Sequence, residues 1–395
     1  MKLKMDKDIL REAREIENEI IHWRRELHQK PEVGTCLPNT VKYIEEELTK
    51  MNVSFQTYEE ISCIVAQIGQ GENCFLLRSD MDALPIREES GEVFAAKNGC
   101  MHACGHDMHA AILLGAAKIL KRHEDCLKGT VKLLFQSGEE NFTGARKAVE
   151  AGVLKNPDVK AAMALHVNVE GKANTVCCGL FPMASVYGFK INIIGKGTHG
   201  AFPQEGIDPI NTAVHIYQAL QEMIAREVSA FDQAVLTIGK IQAGTAANII
   251  PEYAELQGTL RVFSPELRKQ LMNRISEIVQ NVSSVYRTKA EIEVLYDVPS
   301  VVCDKELFEE MLKSMKKLDG LEPLATDLRV MGSEDFAVIA EIVPSTHVGL
   351  GVQMENIEDR YHQHSPKVRF NEKALALGTA IYVQVAEDWL ENHKM

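Results

Sequence analysis

The sequence predicts an α/β protein in which a mainly parallel sheet, covered by helices, is interrupted by an inserted α+β domain. In the first half of the chain, short apolar runs of strand length alternate with amphipathic helical segments, which is typical of an α/β domain. From about residue 184 the order becomes strand, helix, strand, strand, helix, strand, as in a compact α+β unit. The length of 395 residues exceeds a usual single core and also favours two domains.

Two helices are predicted before the first strand. Residues 8–29 form one long amphipathic pattern that ends before Pro31, since proline cannot continue a helix. Residues 41–51 form the second, with Asn39 or Thr40 as the N-cap. The apolar strands that follow are 64–68, 74–77, 131–135 and 161–165. Most are apolar throughout rather than alternating, so helices are expected on both faces of the sheet.

Three of these strands lead directly into acidic or imidazole groups. The groups are Asp80 and Asp82 after the second strand, Glu139 and Glu140 after the third, and His166 after the fourth. In open α/β sheets the ligand crevice lies outside the carboxyl ends of the strands. If these strands are parallel neighbours, the polar groups converge at one edge of the sheet.

Residues 185–297 are predicted to form the inserted domain, which leaves 1–184 and 298–395 as two parts of the first domain. The predicted elements of the insertion are strand 186–194, helix 209–226, strands 233–241 and 253–263, helix 265–286 and strand 290–296. This βαββαβ order predicts a four-stranded sheet backed by two helices. The first domain then gains a strand at 345–352 and a long helix that Asn371 caps and that ends near Trp389.

Composition and charge exclude several classes of partner. The formal net charge of −13 argues against nucleic acid and anionic membranes, because both need a basic face. The longest apolar run, 110–120, is too short to span a bilayer, and the N-terminus has no apolar signal-peptide stretch. The nine cysteines include no CxxC pair, which favours free thiols in a reducing compartment. We therefore expect a cytoplasmic protein.

The segment with the densest chemistry is Met101-His102-Ala103-Cys104-Gly105-His106-Asp107-Met108-His109. A hydrophobic core has little use for so many polar groups, since burying each without a partner costs roughly 1–3 kcal/mol. Thiolate, imidazole and carboxylate are the usual ligands of divalent metals. The segment therefore favours a metal site over a loop whose histidines cap the next helix.

A pair of metal ions is expected rather than a single ion. Adjacent carboxylates such as Glu139 and Glu140 repel one another unless a cation intervenes, so one is expected to be a ligand and the other a proton shuttle. Two-metal hydrolytic sites share a bridging ligand and activate water at neutral pH. The candidate ligands come from four separate segments and are Cys104, His106, Glu140, His166 and His364.

Simpler interpretations stay open for the supporting residues. The loop His362-Gln363-His364-Ser365-Pro366 is equally compatible with a surface turn that ends at proline. Asp80, Asp82 and Asp107 are expected either to orient the ligand imidazoles or to cap turns. Gly195-Lys196-Gly197-Thr198-His199-Gly200 matches a dinucleotide fingerprint, but Pro203 and Gly206 argue against the helix which that motif must open. His199 is interpreted instead as a substrate-contacting group.

These motifs, taken in order, resemble the M20 metallopeptidase and amidohydrolase family, in its aminoacylase, hippurate hydrolase and auxin-conjugate hydrolase branch. The resemblance spans nearly the whole chain. The matching segments include Leu27-His28-Gln29-Lys30-Pro31-Glu32-Val33-Gly34, Arg78-Ser79-Asp80-Met81-Asp82-Ala83-Leu84-Pro85, His102-Ala103-Cys104-Gly105-His106-Asp107-Met108-His109, Phe135-Gln136-Ser137-Gly138-Glu139-Glu140, Ala247-Asn248-Ile249-Ile250-Pro251, Gly332-Ser333-Glu334-Asp335-Phe336 and His364-Ser365-Pro366.

The resemblance implies that 1–184 and 298–395 form a catalytic domain and that 185–297 is a lid that also mediates dimerisation. It implies Cys104 as the bridging metal ligand, with His106, Glu140, His166 and His364 as the others, and Glu139 as the general base. It further implies that His199 and Asn248 polarise the scissile carbonyl and that Arg261 holds a substrate carboxylate. One departure concerns Phe142, which adds bulk where many relatives are glycine-rich and so affects the expected acyl pocket.

The resemblance implies a metal-dependent amidohydrolase that cleaves N-acyl amino acids by a metal-activated water. Two divalent ions per subunit, zinc, manganese or cobalt, and a homodimer or dimer-based oligomer are expected. One alternative is a dipeptidase or carboxypeptidase with the same two-metal site. Another is a non-catalytic metal-binding protein on the same scaffold, against which the presence of Glu139 argues, because losing the base is the simplest route to inactivity.

Overall fold

The computed structural model describes residues 8–319, 321 and 327–394, which divide into two compact units. The first unit comprises the described parts of Met1–Pro182, Val302–Leu328 and Asp335–Met395. The second comprises Met183–Val301 together with Arg329–Glu334. The insertion was predicted at 185–297, whereas the second unit also takes this short later segment. The predicted fold class is confirmed, because one unit holds a large sheet with a parallel centre and the other an antiparallel sheet.

The elements follow one another along the chain in alternating helices and strands. The helices are α1 (Ile9–Glu15), α2 (Glu17–His28), α3 (Pro38–Lys50), α4 (His106–Arg122), α5 (Gly144–Glu150), α6 (Pro209–Glu227), α7 (Pro265–Val285), α8 (Lys305–Met315), α9 (Ala337–Ala340) and α10 (Leu375–Asn392). The strands are β1 (Ser54–Tyr58), β2 (Cys63–Gly69), β3 (Cys74–Asp80), β4 (Thr130–Gln136), β5 (Val159–Lys172), β6 (Val176–Cys178), β7 (Ser185–Ile194), β8 (Thr198–His199), β9 (Ala234–Ala243), β10 (Ile249–Ile250), β11 (Tyr253–Val262), β12 (Lys289–Val298) and β13 (Ser345–Gln353).

The first unit is built on a seven-stranded sheet in the order β1-β2-β4-β3-β5-β13-β6. Its four central strands, β4, β3, β5 and β13, run parallel to one another, whereas the pairs β1–β2, β2–β4 and β13–β6 are antiparallel. Every residue of β3 and β4 is buried, as expected for strands with elements packed on both faces. The strands that were predicted to carry polar groups at their ends are therefore parallel neighbours.

Register brings those polar groups to one level. Asp80 pairs with Gln136 at the end of β3, and Arg78 pairs with Ala164 of β5, so His166 lies level with Asp80. The strand predicted to end at residue 165 instead continues to Lys172. The reason is that β13 continues to pair with β5 beyond the end of β3, with Gly349 opposite His166. His166 therefore lies within a strand but at the same edge as the acidic groups.

The single helix predicted over 8–29 is wrong, because α1 and α2 are separated at Ile16. This residue has φ −106° and ψ 9°, and its N–H donates to Ala13 O at 3.3 Å, three residues back. Ile16 and Ala13 are both buried. A β-branched side chain is crowded against the preceding helical turn, which disfavours continuation of the helix through Ile16.

The predicted N-cap of the second helix is also wrong. Helix α3 begins at Pro38, whose fixed φ suits the first helical position, and neither Asn39 nor Thr40 caps it. The carboxylate of Glu32, in the preceding loop, accepts hydrogen bonds from the N–H groups of Asn39 (3.0 Å) and Thr40 (2.9 Å). A side chain six residues before the helix therefore replaces the local cap, and no local sequence pattern reports such a partner.

The second unit has a four-stranded antiparallel sheet in the order β12-β7-β11-β9. Burial alternates along β11, and helices α6 and α7 pack their apolar residues against the buried face. The Gly195–Gly200 segment contains the short strand β8, which pairs with β10, and a 3-10 turn follows at Pro203–Glu205. Within the described residues, no helix has the length and apolar character needed to cross a bilayer.

Replacing Glu32 tests the cap of α3. The Glu32→Ala variant should lower the free energy of unfolding by about 1 kcal/mol, because two N–H groups at the start of the helix lose their acceptor. The measurement is urea denaturation. Glu46→Ala is the matched control, since it removes the same charge from an exposed position in α3. Equal stabilities for the two variants would show that Glu32 does not cap the helix.

Candidate metal centre

Potential ligand atoms from separate segments of the first unit meet at the carboxyl edge of the central strands. Cys104 Sγ lies 3.5 Å from His166 Nε2. Glu140 Oε1 lies 3.6 Å from His364 Nε2 and 3.9 Å from His106 Nε2. Donor atoms bound to one ion at about 2.0–2.3 Å stand roughly 3.3–3.8 Å apart in a tetrahedral site. The five predicted ligands therefore have the spacing of cation-binding groups.

Two of the donor atoms are buried without a hydrogen-bond partner, namely His106 Nε2 and Glu140 Oε1. Leaving such an atom unpaired costs about 1–3 kcal/mol, and a cation between them would satisfy both. Among the described residues, two groups of potential ligand atoms share Cys104: one adds His106 and His166, the other adds Glu140 and His364. The donor chemistry and the shared thiol fit two divalent ions that have one ligand in common.

The start of α4 aims His106 into this cluster. Gly105 precedes it with φ +93°, and a Cβ atom there would lie 2.5 Å from a methyl group of Val167. Both the backbone conformation and the space therefore require glycine. His106 Nδ1 donates to the main-chain carbonyl of Asp82 at 2.9 Å. That hydrogen bond directs the opposite ring nitrogen, Nε2, toward the carboxylates.

The two glutamates lie on a tight turn that the carboxylate of Asp82 holds in place. Asp82 accepts the N–H of Glu139 at 3.0 Å and the N–H of Glu140 at 3.2 Å. Phe142 closes the turn by donating its N–H to Glu139 O at 2.8 Å. Asp82 was predicted to orient an imidazole or cap a turn, and it does both, with its carbonyl on His106 and its carboxylate on the turn.

Phe142 has φ +60°, in the left-handed region that usually favours glycine. An L-residue there costs roughly 1–2 kcal/mol relative to glycine. Phe142 is the residue at which the sequence predicts added bulk near the site. It places a half-buried aromatic ring two residues from a candidate ligand.

The electrostatics of the cluster show that it needs positive charge. Burial alone would lower the pKa of His106, but Asp80 and the hydrogen bond to Asp82 outweigh burial and raise this pKa well above its usual value. Burial, with the nearby charges of Asp82 and Asp80, raises the pKa of Glu140 to about 7. Burial lowers the pKa of His166 well below its usual value. The raised pKa values of His106 and Glu140 both reflect the negative charge that collects at this site, which a metal ion would neutralise.

The Val167 carbonyl sets the orientation of His166. A carbonyl can only accept, so His166 Nδ1 donates to Val167 O at 2.7 Å and leaves Nε2 to face Cys104. Gln363 donates its side-chain amide to the same carbonyl at 3.1 Å and to Cys104 O at 2.9 Å. His364, the next residue, donates its N–H to the carbonyl of Ala103 at 2.9 Å. One glutamine therefore links three ligand-bearing segments.

Asp107 does not orient a predicted ligand, so that interpretation is wrong. Its Oδ2 accepts from Arg24 Nε and from His28 Nδ1, each at 2.8 Å. His28 Nε2 in turn lies 3.0 Å from the carboxylate of Glu88. The reason is tertiary: α2 packs beside α4 and brings Arg24 and His28 to the carboxylate of Asp107. This buried network holds the start of α4, which carries His106.

The other predicted site residues belong to the second unit. His199 lies in β8, and its neighbour Gly200 donates its N–H to Asn248 O at 2.8 Å, so these two residues are close together. Both are exposed. Arg261, in β11, donates to Met331 O at 2.8 Å and to Ser333 Oγ at 3.1 Å. The role of Arg261 toward a substrate carboxylate stays a prediction.

Sequence reasoning did not single out Gln363, His28 or Arg24. Gln363 was visible only as part of an imidazole-rich loop, and His28 as part of a motif shared with the resembling family. The spacing of His28 and Arg24, four residues apart in one helix, was an available signal that both face the same neighbour. The identity of that neighbour, Asp107, depends on how the helices pack.

Comparison with known proteins identifies relatives over most of the chain. The profile of Peptidase family M20/M25/M40 matches residues 76–388. The chain is 38% identical to IAA-amino acid hydrolase ILR1-like 2 of Arabidopsis thaliana over 94% of this chain and 86% of that protein. It is 34% identical to N-acetyl-L-cysteine deacetylase of Bacillus subtilis, over 96% and 90% of the two chains. A solved Bacillus subtilis structure, a dinuclear metal binding peptidase from the M20 family, superposes with a TM-score of 0.82 at 32% identity, over 96% and 99% of the chains.

The network around His28 predicts a pH-dependent contribution to stability. Burial would lower the pKa of His28, but Asp107 and Glu88 outweigh burial and raise it, while Arg24 opposes them. A raised pKa in the folded state stabilises the protein fully below the unfolded value of about 6.5, and this stabilisation is lost as the pH rises through the folded value.

The free energy of unfolding lost in His28→Gln should therefore be largest near pH 6 and shrink as the pH is raised toward 9. Urea denaturation at a series of pH values measures it. The matched control is His22→Gln at an exposed position in the same helix, which should show no such trend. A loss that is independent of pH would mean that His28 contributes packing but no charge.

Proposed function

We propose that this chain, which belongs to peptidase family M20/M25/M40 and is therefore a hydrolase of amide bonds, acts on N-acyl amino acids. Cleavage of the amide gives a carboxylic acid and an amino acid. The observation that carries the proposal is the cluster of thiol, imidazole and carboxylate donors beside a further carboxylate, Glu139. Two relatives named for hydrolysing an IAA-amino acid and for deacetylating N-acetyl-L-cysteine support the choice of substrate.

In this proposal two divalent ions, zinc, manganese or cobalt, would be held by Cys104, His106, Glu140, His166 and His364, and Cys104 would serve both ions. Bound there, such ions would polarise the amide carbonyl and lower the pKa of a water molecule. The thiol and imidazole donors favour transition metals over magnesium or calcium. The protein supplies a rigid set of donors, because main-chain hydrogen bonds orient the ligand imidazoles His106 and His166.

Glu139 is the proposed general base. The residue is 5% exposed, its Oε2 lies 4.0 Å from His106 Nε2, and its main-chain N–H donates to Asp82. Glu139 takes a proton from the attacking water as the new carbon–oxygen bond forms. It then passes that proton to the amide nitrogen as the carbon–nitrogen bond breaks, so that the products are the free acid and the free amine.

The remaining roles are assigned to the second unit. His199 and Asn248 would donate hydrogen bonds to the carbonyl oxygen as it gains negative charge, within one chain or in a neighbouring copy. Arg261 would hold the carboxylate of the amino acid. A cytoplasmic homodimer is part of the proposal and follows from the sequence and from family resemblance.

The substrate class is tested by turnover and metal content together. Metal-reconstituted protein should contain about two divalent ions per chain by elemental analysis and should hydrolyse acetyl- and benzoyl-amino acids, while chelator treatment should abolish turnover. These substrates have no free α-amino group, because their nitrogen is acylated. A strict requirement for a free α-amino group would instead indicate a dipeptidase.

The two glutamates should separate in a mutational test. Glu139→Gln should keep both ions and lose roughly 10²–10⁴-fold in kcat, because the proton shuttle is removed. Glu140→Gln should instead lose metal, because a ligand is removed. Turnover and elemental analysis check both variants, with Glu150→Gln in the exposed end of α5 as control. Equal metal loss in Glu139→Gln and Glu140→Gln would contradict the division of roles.

A further inference from the structure

We propose that His109 is a positioning residue: through the main-chain N–H of Val167 it holds the strand segment that presents His166. The inference rests on the metal-dependent function proposed above. His109 lies one helical turn after His106 in α4, and its ring centroid is 4.6 Å from that of His166 in an edge-to-face contact. It is 1% exposed, so its polar atoms must be satisfied inside the protein.

Both ring nitrogens of His109 are already in use. The N–H of Val167 donates to His109 Nε2 at 2.8 Å, so Nε2 carries no proton. His109 Nδ1 lies 2.5 Å from Asp80 Oδ1, and it is therefore the nitrogen that carries the ring proton and donates it. The other oxygen of Asp80, Oδ2, accepts a hydrogen bond from Arg78 at 2.6 Å. The carboxylate is thus an acceptor.

This arrangement argues against His109 as a metal ligand, although Asp80, His106 and His109 have potential ligand atoms within 4.8 Å of one another. Coordination through Nε2 would leave the buried N–H of Val167 without an acceptor. Coordination through Nδ1 would displace Asp80. Each alternative breaks a hydrogen bond between groups that are almost completely buried, at the cost of an unsatisfied polar atom.

The main chain of Val167 is where these contacts act on the site. Its N–H is held by His109, and its carbonyl accepts from His166 Nδ1 and from Gln363. The carbonyl determines which nitrogen of His166 faces Cys104. The N–H and the carbonyl of Val167 belong to successive peptides that meet at its Cα, and Val167 is paired with Leu350 in the β5–β13 ladder. Because this pairing restrains the backbone torsions, holding the N–H also restrains the direction of the carbonyl. His109 therefore controls the orientation of His166 without touching a metal.

Asp80, which contacts His109 Nδ1, is itself held in place by Arg78. Arg78 donates to Asp80 Oδ2 at 2.6 Å and to Asp335 Oδ1 at 2.8 Å. Asp335 also accepts the N–H of Ala145, at the start of α5, at 2.8 Å. Arg78, Asp80 and Asp335 are each at most 1% exposed. A continuous buried chain of charged hydrogen bonds therefore runs from α5 through the sheet to His109.

Two amide substitutions separate positioning from ligation. The side-chain oxygen of glutamine in His109→Gln reaches about as far as Nε2 and keeps an acceptor for Val167 N–H. The amide nitrogen of asparagine in His109→Asn stands near Nδ1, so it keeps the donor to Asp80 but leaves Val167 N–H unpaired. Neither amide replaces an imidazole as a transition-metal ligand. Met108→Leu, a volume-conserving change at the preceding buried position, is the matched control.

Metal affinity is the readout, measured by competition between apoprotein and a chromophoric chelator for Zn²⁺, with the visible spectrum of the Co²⁺ form as a second measurement. His109→Asn should weaken binding by about 10–100-fold and change the Co²⁺ spectrum. His109→Gln and Met108→Leu should stay close to the wild type. All four proteins should reach the same number of ions at saturating metal.

Three results would overturn the inference: loss of one ion from both amide variants, equal weakening in both, or no weakening in either. If His109→Asn does not fold, His109→Gln decides alone, with retained affinity and spectrum in support and loss of an ion against. The wild-type arm tests the proposed function separately. Metal uptake without amide hydrolysis would reject that function and leave this comparison intact, whereas no uptake would reject both.

Discussion

The first unit depends on balancing the negative charge that its strands deliver to the buried ring of His106. Asp80 forms an ion pair with Arg78, and the carboxylate of Asp82 accepts hydrogen bonds from two main-chain N–H groups. Glu140 keeps a buried oxygen without a hydrogen-bond partner and has a raised pKa. The carboxylates thus fall into two groups. Some are neutralised or hydrogen-bonded by the protein, and at least one, Glu140, has an oxygen that a cation could bind. This division distinguishes the candidate metal centre from a network of internal ion pairs.

Main-chain carbonyl groups orient several of the candidate ligands. Asp82 O fixes His106, Val167 O fixes His166, and Ala103 O holds the backbone of the His364 loop. Such contacts are less sensitive to side-chain rotation than contacts between two side chains, so a site assembled from four distant segments can still be held rigidly. Buried ion pairs behind them, such as those around Arg24, connect the site to helix packing.

Several features were predictable because they depend on local chemistry. The apolar runs gave the central strands, and the residue types after them identified the edge at which a site would form. Other features were not. The cap of α3 comes from Glu32, which lies in a loop. Strand β5 extends beyond its predicted end because β13 continues to pair with it. Asp107 contacts α2 instead of a candidate ligand. Each of these depends on a partner that is distant in sequence or belongs to another element.

The sequence by itself determined the inventory of the site: a thiol, imidazoles and paired carboxylates placed at strand ends and at a helix start. Hydrophobic periodicity and residue chemistry are properties of short segments, so they can be recognised without knowledge of the fold. Only the tertiary structure decided which imidazole has a nitrogen left to bind metal. His106, His109 and His166 are the same residue type, and they differ only in which main-chain and carboxylate groups the register and helix packing place against each ring.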